Sequence, residues 1–457
     1  MIWLVLLFAL LLVPTNGRGL PPYLFIAVLA VLFFLKKSNI SQLKLEKKNR
    51  FLLYYAVVYV SSLFLHFYSG SIKVAASFCA YFILSPFIVN GIVKTKREFN
   101  RVISFIVAAF TVYSVFGIIE CLTAFNIFDV IFGRSGDALW GAVGMTRYGF
   151  YLSYGSLRIM HNNATLMCMI WAIAAYQLCN ARKRRPFWTL CWVVIGAYDI
   201  MMMSRMIIFT APILQLIIFR KRGSKWLTKR VFIIAVVVLL IVFVSGTDVL
   251  STVWNTMGGL FAPIIDEFFG TSLKARFGSS LGGSGERFDL WGWIFDAVKG
   301  NLLFGKGFTD TWSTTISGQN YLGQTWYRTK TSIEVQWLNR LYRTGLYGLS
   351  GFIVFQIGSI KRTWKEKVRC FENKVTFQFV MKWLTVFYFF HLFGIAAAEE
   401  LNIYYFLLAI YMCYVNICKK EAQTAIVYQP ESYRDMHSMK QEKKHHGKKN
   451  GLRRLKL

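Results

Sequence analysis

Twelve apolar runs separated by mostly short polar gaps divide this chain, near residues 1–13, 20–35, 51–68, 72–93, 102–125, 159–179, 187–203, 206–219, 231–246, 345–360, 383–398 and 403–418. Each is read as a helix fit for a bilayer whose hydrocarbon core is about 30 Å thick, so the pattern predicts about twelve membrane spans. The first run is short for a span. It lacks the basic start and the small-residue cleavage site of a secretory signal, and is kept as a first helix. Only one gap is long, residues 247–344, and a second of moderate length covers 126–158.

Composition agrees with the pattern. Hydrophobic residues make up 55% of the 457 positions, aromatics 17%, and the mean hydropathy is +0.44. That is more apolar surface than a soluble fold of this length can bury. The formal net charge of +31 would suggest nucleic acid in a soluble protein. Here 38 of the 53 Lys and Arg residues fall in every second gap, which is the positive-inside pattern and excludes a nucleic-acid reading. Both termini are therefore expected in the cytoplasm and the long gap outside. The eight cysteines lie in apolar runs or predicted cytoplasmic segments, with neither a disulfide framework nor a CxxC metal site.

The expected organisation is an all-α integral membrane protein. Residues 1–246 hold nine helices, with a shorter outer segment at 126–158. Residues 247–344 form a large extracytoplasmic loop between spans nine and ten, whose aromatic density predicts helices lying at the interface. Residues 345–418 hold the last three helices. The basic tail, 419–457, is too polar to bury a core and is expected to be disordered on the cytoplasmic side, attracted to anionic lipid. His445 and His446 in that tail read as solvated side chains, not a metal site.

Outer charges are few, which makes each informative. Arg205, in MMMSRMIIF, sits at the tight outer turn between spans seven and eight, where it is either a snorkelling anchor or an anion ligand. Asp199 precedes it by about 9 Å of helix at roughly 1.5 Å per residue, close enough to offset that charge or share a cavity with it. Arg287, in GSGERFDLWGW, opens a predicted helix after a glycine stretch. Its guanidinium can grip a phosphate with two parallel bonds, or pair with Glu286 or Asp289. In TSIEVQWLNRLYRTGLYGLSGF, Glu334, Trp337, Leu338, Leu341 and Gly345 keep helical spacing. Glu334 there is either a base for a sugar hydroxyl or a salt-bridge partner of Arg340 or Arg343. Arg158 and His161 stand where the second outer segment enters span six, and Asn163 begins an NAT triplet too near the membrane to count as a glycosylation acceptor. Glu120 and His391, inside spans, read as buried polar contacts. GKGF at 305–308 is not a phosphate loop, since no GK[ST] follows the glycines.

Three of these stretches, SRMIIF, GERFDLWGWIFDAVKGNLLFGKGF and EVQWLNRLYRTGLYGLSGF, resemble in order and spacing the signatures of the bacterial O-antigen ligase and polymerase superfamily, over roughly 158–354. The resemblance implies a metal-independent, cofactor-free transferase that joins undecaprenyl-diphosphate-linked saccharides on the outer face of the cytoplasmic membrane. Arg205 and Arg287 match family arginines that bind the donor diphosphate, with Arg158, Arg340 and Arg343 as further contacts. The ligase branch usually has a histidine and then a polar residue eleven positions before the glycine matching Gly345. Glu334 and Val335 stand there instead, which favours an exopolysaccharide, capsule or O-antigen polymerase. The implied reaction is inverting: a lipid-linked repeat unit attacks the growing glycan, Glu334 takes the hydroxyl proton and the arginines hold the leaving diphosphate. Expected partners are the lipid-linked oligosaccharide, membrane lipids, a flippase and a chain-length regulator. A ligase-type transferase and a flippase-like transporter are the alternatives. A transporter would be expected to show matching halves, and none are visible.

Overall fold

A computed structural model describes residues 49–68, 70–131, 146–147, 150–157, 160–202, 204–223, 225–226, 228–233, 236, 285–319, 325–366, 372, 374–394 and 400–427. The first two apolar runs, most of the ninth, all of 247–284 and residues 428–457 of the basic tail lie outside these residues, as do Arg158, His445 and His446, whereas 419–427 of that tail are helical where disorder was expected.

Helices dominate. In chain order they are α1 (Arg50–Leu65), α2 (Ser71–Phe78), α3 (Ser85–Ile92), α4 (Lys96–Thr123), the short α5 (Ile127–Ile131), α6 (Met160–Asn180), α7 (Arg185–Met201), α8 (Arg205–Arg222), α9 (Gly285–Val298), α10 (Gln336–Lys365), α11 (Phe377–His391) and α12 (Glu400–Val427). Among the described residues, α4 is the one helix both long and apolar enough to cross a membrane by length and composition; α1 is apolar but shorter.

Two features depart from an all-α reading. Thr146–Arg147 and Phe150–Tyr151 form one antiparallel ladder, β1 and β2, and Thr314–Gln319 and Thr325–Lys330 form another, β3 and β4. The second lies in the long loop where interfacial helices were expected. Its strands read TTISGQ and TWYRTK, rich in the β-branched and aromatic residues that favour a ladder. The run at 72–93 is also not one regular helix. It passes through a π-helical turn, Cys79–Leu84, just before Pro86. Proline has no N–H to donate, so a regular helical ladder cannot run unbroken through this position.

The core is built around α6. Every residue from Asn162 to Tyr176 on it is buried, as suits a helix apolar on all sides. Helices α4, α7, α8, α11 and α12 surround it. A capping box fixes the start of α4: the Glu98 N–H donates to Thr95 Oγ1 at 3.2 Å, and the Thr95 N–H donates to Glu98 Oε2 at 3.0 Å. Helix α1 packs along α10, where Tyr55 stacks on Phe355 with ring centroids 4.8 Å apart.

Candidate functional site

Helix α10 is broken at Gly345, whose φ of 62° and ψ of −165° are not helical. An unbroken helix would bond the Leu346 and Tyr347 N–H groups to the carbonyls of Tyr342 and Arg343. The segment 302–307 takes both pairs instead. Leu346 N donates to Leu302 O at 2.9 Å and Tyr347 N to Leu303 O at 3.0 Å, while Tyr342 O accepts from Lys306 N at 2.7 Å and Arg343 O from Gly307 N at 3.0 Å. The break therefore leaves none of these four groups orphaned. The GKGF stretch is the plug of this break.

Glycine is required on both sides of the contact. A Cβ on Gly345 would fall against the Leu303 carbonyl, and one on Gly305 would stand 2.5 Å from Gly345 N. Both residues also carry positive φ, which side chains disfavour. His66, just beyond α1, fastens the plug from the other side, with Nε2 3.0 Å from the Phe304 carbonyl. A carbonyl only accepts, so this ring nitrogen carries the proton.

The half-helix ahead of the break carries two of the candidate arginines. Arg340 lies with its guanidinium 4.7 Å from the Tyr59 ring centroid and 5.5 Å from that of Phe352. Arg343, one turn on and exposed, lies 5.9 Å from the Phe308 ring, and Phe308 in turn meets Tyr59 at 6.3 Å. Two cations thus sit in the last turns of a helix segment, where the dipole favours them, and on aromatic faces worth roughly 0.5–2 kcal/mol each. Tyr342 donates to Asp310 Oδ2 at 3.1 Å. Its burial and that carboxylate push the Tyr342 phenol up to about 12.

Glu334 stands just outside the helix. Helical spacing placed it on the inward face of α10, but α10 begins at Gln336, with Val335 extended ahead of it. The salt-bridge alternative also changes partner. Glu334 Oε1 pairs at 3.4 Å with Lys330, the last residue of β4, and not with Arg340 or Arg343. Lys330 is buried, whereas Glu334 keeps 42% of its side chain exposed. Sequence reading missed Lys330, although its spacing of four from Glu334 was available as a signal.

The other predicted residues fall in two places. Arg205 is the first residue of α8 and Arg287 the third of α9; their side chains, and that of Asp289, lie outside the described ones. Ser204, the cap before Arg205, is buried with Oγ 3.5 Å from Nδ1 of His161 in the first turn of α6. Thr165 Oγ1 donates to the His161 carbonyl at 2.8 Å and also meets Nε2 of His391, which ties the start of α6 to the end of α11. Asp199, in the last turn of α7, is fully buried, and neither of its oxygens is hydrogen-bonded among the described residues. Helix α9 packs against α10 and buries Leu290, Ile294 and Val298, which share one face at fourfold spacing. No group of three or more His, Cys, Asp or Glu side chains able to hold a metal occurs among the described residues.

No curated protein matches the chain. Residues 189–353 match the family model described as O-antigen ligase, a segment from α7 into the second half of α10. It contains Asp199, Arg205, Arg287, Asp289, Glu334, Arg340, Arg343 and the plugged break, and leaves out Arg158 and His161. Over this segment the chain is similar to the O-antigen ligase family.

Proposed function

We propose that the chain is a polysaccharide polymerase of the cytoplasmic membrane, with about twelve spans, both termini inside and its site facing outward. It would move a growing glycan from undecaprenyl diphosphate onto a lipid-linked repeat unit. The observation that carries this reading is the half-exposed Glu334, held by Lys330, at the head of the half-helix bearing Arg340 and Arg343. The organisation in this proposal is 1–246, the outer loop 247–344, 345–418 and the tail 419–457.

The terminal hydroxyl of the incoming unit attacks the anomeric carbon of the donor sugar. Its proton passes to Glu334, and the bond to the diphosphate breaks with the electron pair leaving on the phosphate oxygen. Arg205 and Arg287 grip that diphosphate, and Arg340 and Arg343 hold whichever phosphate lies over the plug. The leaving group is already good, so no second carboxylate of the hydrolase kind is needed. A flippase supplying the repeat unit and a chain-length regulator are the partners this scheme calls for.

Purified chain in liposomes with a lipid-linked repeat unit tests it. A ladder of longer glycans on the lipid carrier is the expected product. Transfer only to a separate lipid or protein acceptor would assign a ligase, and movement of unextended carrier across the bilayer would assign a flippase.

A further inference from the structure

A groove of about 910 Å³ lies between the starts of α4 and α7, far in sequence from the plugged break. Four cations line it: Lys96, Arg97 and Arg101 from the first two turns of α4, and Arg184 from the cap of α7. Among the described residues no acidic side chain does. The acid on that turn of α4, Glu98, is already engaged by the Thr95 and Lys94 backbone N–H groups at 3.0 and 2.8 Å.

Asn100 and Ser104 lie among the cations on α4, and the remaining lining is apolar. Phe105 and Ala108 follow Arg101 on α4, about 6 and 10 Å farther at roughly 1.5 Å per residue. Phe187 and Trp188, with ring centroids 4.9 Å apart, form the facing wall on α7. Arg101, Phe105, Ala108, Val112, Val115, Ile119 and Leu122 share one face of α4 by their spacing, and the last four are exposed. An apolar track thus continues from the groove down the helix that is apolar enough to cross a membrane. Arg184 holds left-handed backbone, φ 54° and ψ 34°, which non-glycine residues seldom adopt. That conformation at the mouth of the groove marks a constrained position.

We infer that this groove binds one anionic glycerophospholipid of the leaflet on the Lys96 side, its phosphate among the four cations and its acyl chains along the aromatic wall and the exposed face of α4. Cations at one end and apolar surface at the other, in the order a phospholipid presents phosphate and chains, distinguish the groove from a free-anion site. The inference rests on α4 crossing the membrane, not on the transferase reading. On the proposed topology this is the cytoplasmic leaflet, where basic residues meet anionic headgroups.

Native mass spectrometry of the full chain, purified in detergent and titrated with phosphatidylglycerol or phosphatidylcholine, tests it. One phosphatidylglycerol should be retained in preference to phosphatidylcholine. The triple variant Arg97→Gln, Arg101→Gln, Arg184→Gln should weaken that retention about a hundredfold. The triple variant Arg220→Gln, Lys225→Gln, Lys229→Gln removes the same charge from another basic gap and should leave retention unchanged. Ala108→Trp, which fills the apolar wall without touching a charge, should also displace the lipid and serves if the first variant folds poorly. Equal losses from both triple variants would reduce the effect to bulk charge and overturn the site. Displacement of the lipid by inorganic phosphate at millimolar concentration, or equal retention of the two lipids, would overturn it as well.

Discussion

Glu120 and Glu334 are carboxylates with opposite surroundings. Glu120, near the end of α4, is buried and takes four hydrogen bonds: Asn126 Nδ2 at 2.8 Å, Ser153 Oγ at 2.6 Å, and the Tyr154 and Gly155 N–H groups at 3.2 Å each. Those donors come from the two ends of the moderate gap, so the carboxylate fixes that segment to the helix. Glu334 is half exposed, pairs with Lys330 and stands ahead of a broken helix bearing two arginines. A carboxylate whose acceptor sites are filled has little capacity to take a substrate proton, and one open to solvent retains it. The difference separates an acid that holds the fold from the acid proposed for the chemistry.

The sharpest way to break the comparison is to neutralise each acid. Glu334→Gln should lower glycan elongation by about 10²–10⁴-fold with little change in melting temperature, read from product length and a thermal shift. Next come the cations. Arg343→Ala should cost about 10–100-fold in rate through lost charge-assisted bonds, with stability unchanged because the side chain is exposed. Arg340→Ala should lose a similar rate and also melt earlier, since it lies against Tyr59 and Phe352.

Smaller effects test the support. Gly345→Ala puts a Cβ into the Leu303 carbonyl on left-handed backbone and should lower stability by roughly 2–4 kcal/mol, with activity falling alongside. Glu120→Gln leaves donors facing an amide and should lower stability by about 1–3 kcal/mol, while the rate per folded molecule stays at the wild-type value. Tyr342→Phe should cost about 1 kcal/mol. With its phenol up at about 12, Tyr342 stays protonated below that pH, so the variant should show the wild-type pH profile between about pH 6 and 9.

Much of the helix placement was legible in hydrophobic pattern. The runs at 102–125, 159–179 and 403–418 lie largely within α4, α6 and α12, because an apolar helix announces itself over many residues. The break in α10 was not legible. Gly345 reads as one small residue in a helical period, and its positive φ follows from backbone groups some forty residues earlier, which no local window contains. Lys330 was missed for a similar reason: β4 delivers it, and six residues of mixed TWYRTK carry a weak strand signal. Glu334, Arg340 and Arg343 could be named from residue type and spacing. Their surroundings could not, because ring contacts and ion pairs depend on α1, the plug and the hairpin together.

One measurement bears most directly on the central assignment. Wild-type chain and Glu334→Gln, each reconstituted in liposomes with a defined undecaprenyl-diphosphate-linked repeat unit, are compared by the length of glycan left on the carrier. The expected result is a ladder from the wild type and the single repeat unit alone from Glu334→Gln, at equal folded protein. A ladder of wild-type length and rate from Glu334→Gln would contradict it.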